Sequence, residues 1–168
     1  MVHFNANNTT TEKNLLKIAK FVDGDGIILE NIISKEQIEV RFLGIDAPEI
    51  NYCKKIKKDE KELHIPAALL IKFGYLSLNF LKDQVNLGDF CTLKQEQNNL
   101  IDKYGRHLGY LILNDVRVLN EIMIKEGYAK PYNDVFCEML PVYQEWNLEA
   151  KSSLKGLYSG SSQKVVGK

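Results

Sequence analysis

The chain has 168 residues, 45% of them apolar, which is enough for one domain with a single core. Lys+Arg and Asp+Glu balance at 22 each, so no global positive field marks a polyanion partner, and any affinity for phosphate is local. No apolar run reaches membrane-spanning length, and Met1–Asn14 lacks the apolar segment of a signal peptide. The expected compartment is therefore cytoplasmic by default, or secreted or periplasmic if the chain is a processed form.

Only three residues are arginine, Arg41, Arg106 and Arg117, in a chain that otherwise uses lysine. An arginine kept against that preference points to a task for planar, two-pronged donors. The three cysteines, Cys53, Cys91 and Cys137, lack zinc-ligand spacing. Their odd number leaves at least one free thiol, and a single Cys53–Cys137 disulfide stays open.

In chain order, residues 1–14 are Asn/Thr-rich and expected to be disordered. A domain is expected over 15–158, with a loose tail over 159–168. Leu15–Val22 reads as a strand that delivers the chain to the turn Asp23-Gly24-Asp25. Ile27–Leu29 and Ile38–Ile45 follow as strands, their β-branched residues favouring extended chain. Tyr52–Leu63 is rich in lysine and reads as a mobile, solvated loop, or as lysines that hold a polyanion. Pro66 fits a helix start, with apolar residues at helical spacing until about Lys82. Strands are predicted over Phe90–Gln95 and His107–Leu113, flanking the polar loop Asp102–Arg106. Helices follow over Leu119–Glu126, capped by Gly127, and over Glu138–Leu154. Five strands with three helices predict a small antiparallel barrel of the α+β class.

The chemistry concentrates in residues 22–49. Asp23, Asp25, Asp46 and Glu49 stand where strands end, and antiparallel pairing brings Asp25 beside Asp46 with Glu49 one turn further on. Hydrolysis of a phosphodiester needs an oriented, partly deprotonated water and neutralisation of the phosphoryl charge. Carboxylates can hold a cation, a free carboxylate can act as base, and guanidinium groups can grip phosphoryl oxygens. Each motif alone has an ordinary reading: Asp-Gly-Asp as a turn, Arg41 as a surface ion pair, Asp102–Arg106 as a hairpin loop. His64 and His107 read as structural.

Taken together and in order, the motifs Val22–Asp25, Arg41–Glu49 and Asp102–Arg106, with Leu119–Glu121, Glu126–Ala129 and Lys155–Tyr158, resemble the staphylococcal nuclease (thermonuclease) family. The resemblance runs from about Ile18 to Tyr158. It implies an OB-fold barrel with three helices and Ca²⁺-dependent cleavage of DNA and RNA to 3′-phosphate products, by a monomer with no membrane partner. By motif position, Asp25, Asp46 and the Ala47 carbonyl would ligate Ca²⁺, with Mg²⁺ as the alternative. Glu49 would activate water, and Arg41 and Arg106 would bind the scissile phosphate. Lys103 and Tyr104 would contact a neighbouring phosphate, and Tyr132 would stack a base, although the spacing around it differs from the family's. Gly26 replaces the usual threonine, so a hydroxyl near the metal is lost and weaker binding is expected. The loop after Glu49 is longer than in the family's short form. Two other classes compete: a catalytically weak or inactive nucleic-acid-binding module, and a scaffold using the last helix.

Overall fold

The computed structural model describes residues 9–159. In chain order the elements are β1 (Thr10–Asp23), β2 (Gly26–Asn31), β3 (Gln37–Phe42), β4 (Ile45–Asp46), α1 (Lys54–Leu63) and α2 (Ala67–Gln84). There follow β5 (Phe90–Glu96), β6 (His107–Leu113), α3 (Leu119–Lys125), β7 (Lys130–Pro131), α4 (Leu140–Ser152) and a short 3-10 turn, Gly156–Tyr158. Five strands close into a barrel in the order β1-β2-β3-β6-β5, with β1 also paired to β5.

Closure depends on β1. Its register shifts between Lys13 and Leu16 against β5, and between Ile18 and Lys20 against β2. Such irregularities bend a strand and increase its twist, which lets this one strand serve two neighbours. Alternation then turns Ile18, Ile27, Leu29, Val40, Phe42, Leu93 and Leu111 into the interior, all 0–1% exposed. Leu119 and Met123 of α3 are equally buried and belong to the same core.

Four expectations need correction. The barrel is mixed, because β3 pairs parallel with β6 while the other four pairings are antiparallel. A parallel pair needs a long crossover, and α1, α2 and β5 supply it. Among the described residues there are four α-helices instead of three, the extra one being α1, which lies in the segment expected to be a mobile loop. The predicted strand Ile38–Ile45 breaks after Phe42, and Ile45–Asp46 pairs with β7 instead. Finally, β1 begins at Thr10, so part of the stretch expected to be disordered is strand. The rest of that expectation, residues 1–8, and most of the expected tail lie outside the described residues.

All three cysteines are free thiols, so the open Cys53–Cys137 pairing is not made. Among the described residues, no single helix is long and apolar enough to cross a membrane.

Candidate active site

The site is assembled at one end of the β2–β3 pair. Gly26 lies opposite Arg41 in the register, and the Phe42 N–H donates to the Asp25 carbonyl at 2.8 Å, which fixes the acidic turn beside Arg41. Asp25 is 2% exposed, and its Oδ2 accepts the Ala47 N–H at 2.7 Å. Asp25 and Asp46 are thus neighbours, as the hairpin reading expects. Arg41 joins them: Nη2 lies 3.1 Å from Asp46 Oδ1 and Nη1 3.5 Å from Asp25 Oδ1.

Burial pushes the Asp25 carboxyl well above its usual range, partly offset by Arg41 and by the Ala47 N–H. Arg41 moves the other way in effect. Its burial disfavours charge, but Asp25 and Asp46 outweigh it and hold the guanidinium more firmly protonated than usual.

Two glycines let α2 press the acidic loops into place. A Cβ at Gly74 would overlap the Glu49 carbonyl, so this mid-helix glycine is where the helix meets the backbone that carries Glu49. At Gly24 a Cβ would lie 2.8 Å from the Ser77 Cβ and 2.9 Å from the Ala47 Cβ. Gly26 has a different use: a Cβ there would come within 2.9 Å of Asp23 Oδ1, the oxygen that accepts the Asp25 N–H.

The second arginine arrives from the loop before β6. Asp102 Oδ1 accepts the N–H groups of Tyr104 and Arg106 at 2.9 and 3.0 Å, and its Oδ2 takes Arg106 Nε at 2.7 Å. Burial works against the Asp102 charge, but these donors more than compensate and hold its carboxyl below the usual range. Arg106 is thereby aimed, with its two terminal nitrogens left over.

A recess of about 390 Å³ is lined by Asp23, Glu39, Arg41, Glu49, Tyr104 and Arg106. Both arginines and Glu49, from three separate stretches of chain, therefore share one cavity. Tyr104 is 72% exposed at its edge, with Arg106 5.4 Å and Lys103 5.1 Å from its ring. Tyr132 does not line the recess; its ring faces the Arg41 guanidinium at 5.3 Å.

Asp23, read from the sequence as part of the acidic cluster, also lines the cavity, but two residues escape sequence reasoning. Glu39 lines the cavity and had a signal: it stands two residues before Arg41 on the same strand face. The other is Lys55, whose ammonium lies 2.7 and 2.9 Å from the Asp46 oxygens and 3.4 Å from Glu49 Oε1. Its burial disfavours the charge, but Asp46 and Glu49 raise the pKa above the lysine norm. The one sequence cue was Ile56, a lone apolar residue in a charged run.

By donor chemistry, two buried carboxylates and a peptide carbonyl suit a hard divalent cation. Among the described residues no three His, Cys, Asp or Glu side chains converge as a ready metal cage. Asp46 is instead satisfied by the charges of Arg41 and Lys55.

Comparison with known proteins adds relatives. An uncharacterized protein of Methanocaldococcus jannaschii is 28% identical over 156 residues, covering 87% of this chain and 72% of its own length. Endonuclease YhcR of Bacillus subtilis is 30% identical over 145 residues, but the match spans 84% of this chain and only 11% of that protein. An uncharacterized endonuclease of Escherichia coli is 29% identical over 144 residues, 85% of this chain and 76% of its own. The family described as staphylococcal nuclease homologue matches residues 39–160, the greater part of the chain, and the chain belongs to that family.

Proposed function

We propose that the chain is a Ca²⁺-dependent endonuclease that hydrolyses phosphodiester bonds of DNA and RNA and leaves 3′-phosphate ends. The observation that supports this reading is the shared recess, which two guanidinium groups line together with the Glu49 carboxylate. A phosphate drawn into it meets Arg41 and Arg106, whose terminal nitrogens donate to the non-bridging oxygens and take up charge as it builds there. Glu49 orients a water and removes its proton as the oxygen attacks phosphorus. The P–O5′ bond breaks opposite, and the leaving oxygen takes a proton from solvent. Ca²⁺, or Mg²⁺ as the alternative, would be held by Asp25, Asp46 and the Ala47 carbonyl and would supply further positive charge for the phosphoryl oxygens.

Tyr104 lines the recess with Lys103 beside its ring, and this pair would meet the next phosphate of a strand, whereas Tyr132 is available for a base only beyond Arg41. We read the barrel as an OB-fold, with its crossover helices between the third and fourth barrel strands. One chain supplies every named group, so a monomer suffices.

The test is incubation with single-stranded DNA and with RNA in Ca²⁺, in Mg²⁺ and in EDTA, followed by identification of the new ends. Cleavage to 3′-phosphates in Ca²⁺ and none in EDTA is expected. Full activity in excess EDTA would refute the metal-assisted reaction.

A further inference from the structure

The acid cluster already holds a cation of its own. Lys55 bridges two carboxylates with different assigned roles, reaching both oxygens of Asp46 (2.7 and 2.9 Å) and Glu49 Oε1 (3.4 Å). Asp46 is 6% exposed, so this contact is no ordinary surface pair. Nor does the lysine serve its own helix. It lies in the first turn of α1, which carries no acidic residue, and a cation there opposes the helix dipole. The helix is nevertheless held in place: Ile56 is 2% exposed, and Glu60 Oε1 accepts the Ala67 N–H at 3.1 Å, tying α1 to the start of α2.

We infer that Lys55 is a tethered counter-cation of this acidic seat, which a divalent cation must displace before it can be held. The inference rests on the proposed use of Asp25, Asp46 and the Ala47 carbonyl as cation ligands. Both charges are positive and both draw on Asp46, so they compete for the same carboxylate. Helix α1 then sets how tightly the site takes its cation, and Lys55 is a positioning residue for metal uptake, with no contact to substrate required.

Calorimetric titration of Ca²⁺ into the metal-stripped protein tests this with Lys55→Met and, as control, Lys58→Met. Lys58 lies on the same helix with a 70% exposed side chain, and its recorded ion pair is with Glu62. Lys55→Met is expected to tighten Ca²⁺ binding at least about tenfold, and Lys58→Met to leave it within about twofold. Equal affinities for wild type and Lys55→Met, or equal tightening in both variants, would overturn the inference and leave the cation reading standing. No Ca²⁺ uptake by any of the three proteins would overturn both. Reductive methylation of the wild-type chain, read by peptide mass spectrometry, needs no variant. Ca²⁺ should raise labelling of Lys55 relative to Lys58, and an unchanged ratio would overturn the inference.

Discussion

The Ala47 N–H donates to Asp25 Oδ2 at 2.7 Å, so the acid in the β1–β2 turn is clamped to the residue that follows Asp46. This bond and Arg41 are what make a nearly inaccessible carboxylate tolerable. Burial still raises the Asp25 pKa above its unfolded value, so ionising it costs the fold stability as pH rises beyond about 4. Asp25→Asn keeps an acceptor for Ala47 and removes that cost. In EDTA at pH 7 the variant should melt a few degrees above wild type, with the difference shrinking as pH falls, while losing Ca²⁺ binding; thermal melts across pH check this.

Glu49 is the carboxylate in the recess that the proposed reaction uses as base. Glu49→Gln keeps its size and removes its basicity. Hydrolysis should slow at least about 100-fold with the fold intact. An unchanged single-turnover rate would take Glu49 out of the mechanism.

Arg106 spends Nε on Asp102, which leaves its two terminal nitrogens for phosphate. Lysine preserves the charge but neither the bond to Asp102 nor the fork. Arg106→Lys should lower kcat at least about tenfold, and kinetics at saturating substrate measure it.

Gly74 reverses a familiar sign. Alanine in a helix interior is ordinarily about 1 kcal/mol better than glycine. Here its Cβ would overlap the Glu49 carbonyl, and overpacking costs about 1–3 kcal/mol. Gly74→Ala is therefore expected to be destabilising in urea unfolding and to slow hydrolysis by shifting Glu49. A stabilised variant would show that the helix and loop are not in contact.

Asn120 is buried and spans the parallel seam. Its Nδ2 donates to the carbonyls of Leu43 (2.9 Å) and Gly109 (3.1 Å), and its Oδ1 accepts the Leu111 N–H (3.0 Å). Asn120→Ala strands the Leu43 carbonyl and the Leu111 N–H, while the Gly109 carbonyl keeps the Leu43 N–H, and a loss of at least about 2 kcal/mol is expected by denaturant titration.

Much of this could be read from residues alone, where local chemistry and tertiary packing agree. Asp-Gly turns, β-branched runs and the apolar spacing from Ala67 to Leu81 all signal their final form. The proximity of Asp25 to Asp46 followed from strand alternation and turn placement. Helix α1 did not, because KKIKKDEKEL carries helix formers with only Ile56 and Leu63 to mark an apolar face. Its position is fixed by the buried Ile56 and by Asp46 and Glu49, which precede it and hold Lys55. The parallel β3–β6 pair escaped for a related reason: it joins residues more than sixty positions apart, with nothing local to announce it. For the same reason nothing local to Arg41 or Arg106 announces their meeting in one recess, which only the family resemblance implied.

On the proposed function, that seam also sets when cleavage becomes possible during synthesis. A nascent or truncated chain ending before His107 holds every acid of the site and Arg41, yet lacks the strand that completes the ring. It has no means of setting a second guanidinium opposite the first. Partial products of synthesis or proteolysis should accordingly leave nucleic acid untouched, and competence should arise all at once when the last barrel strand docks.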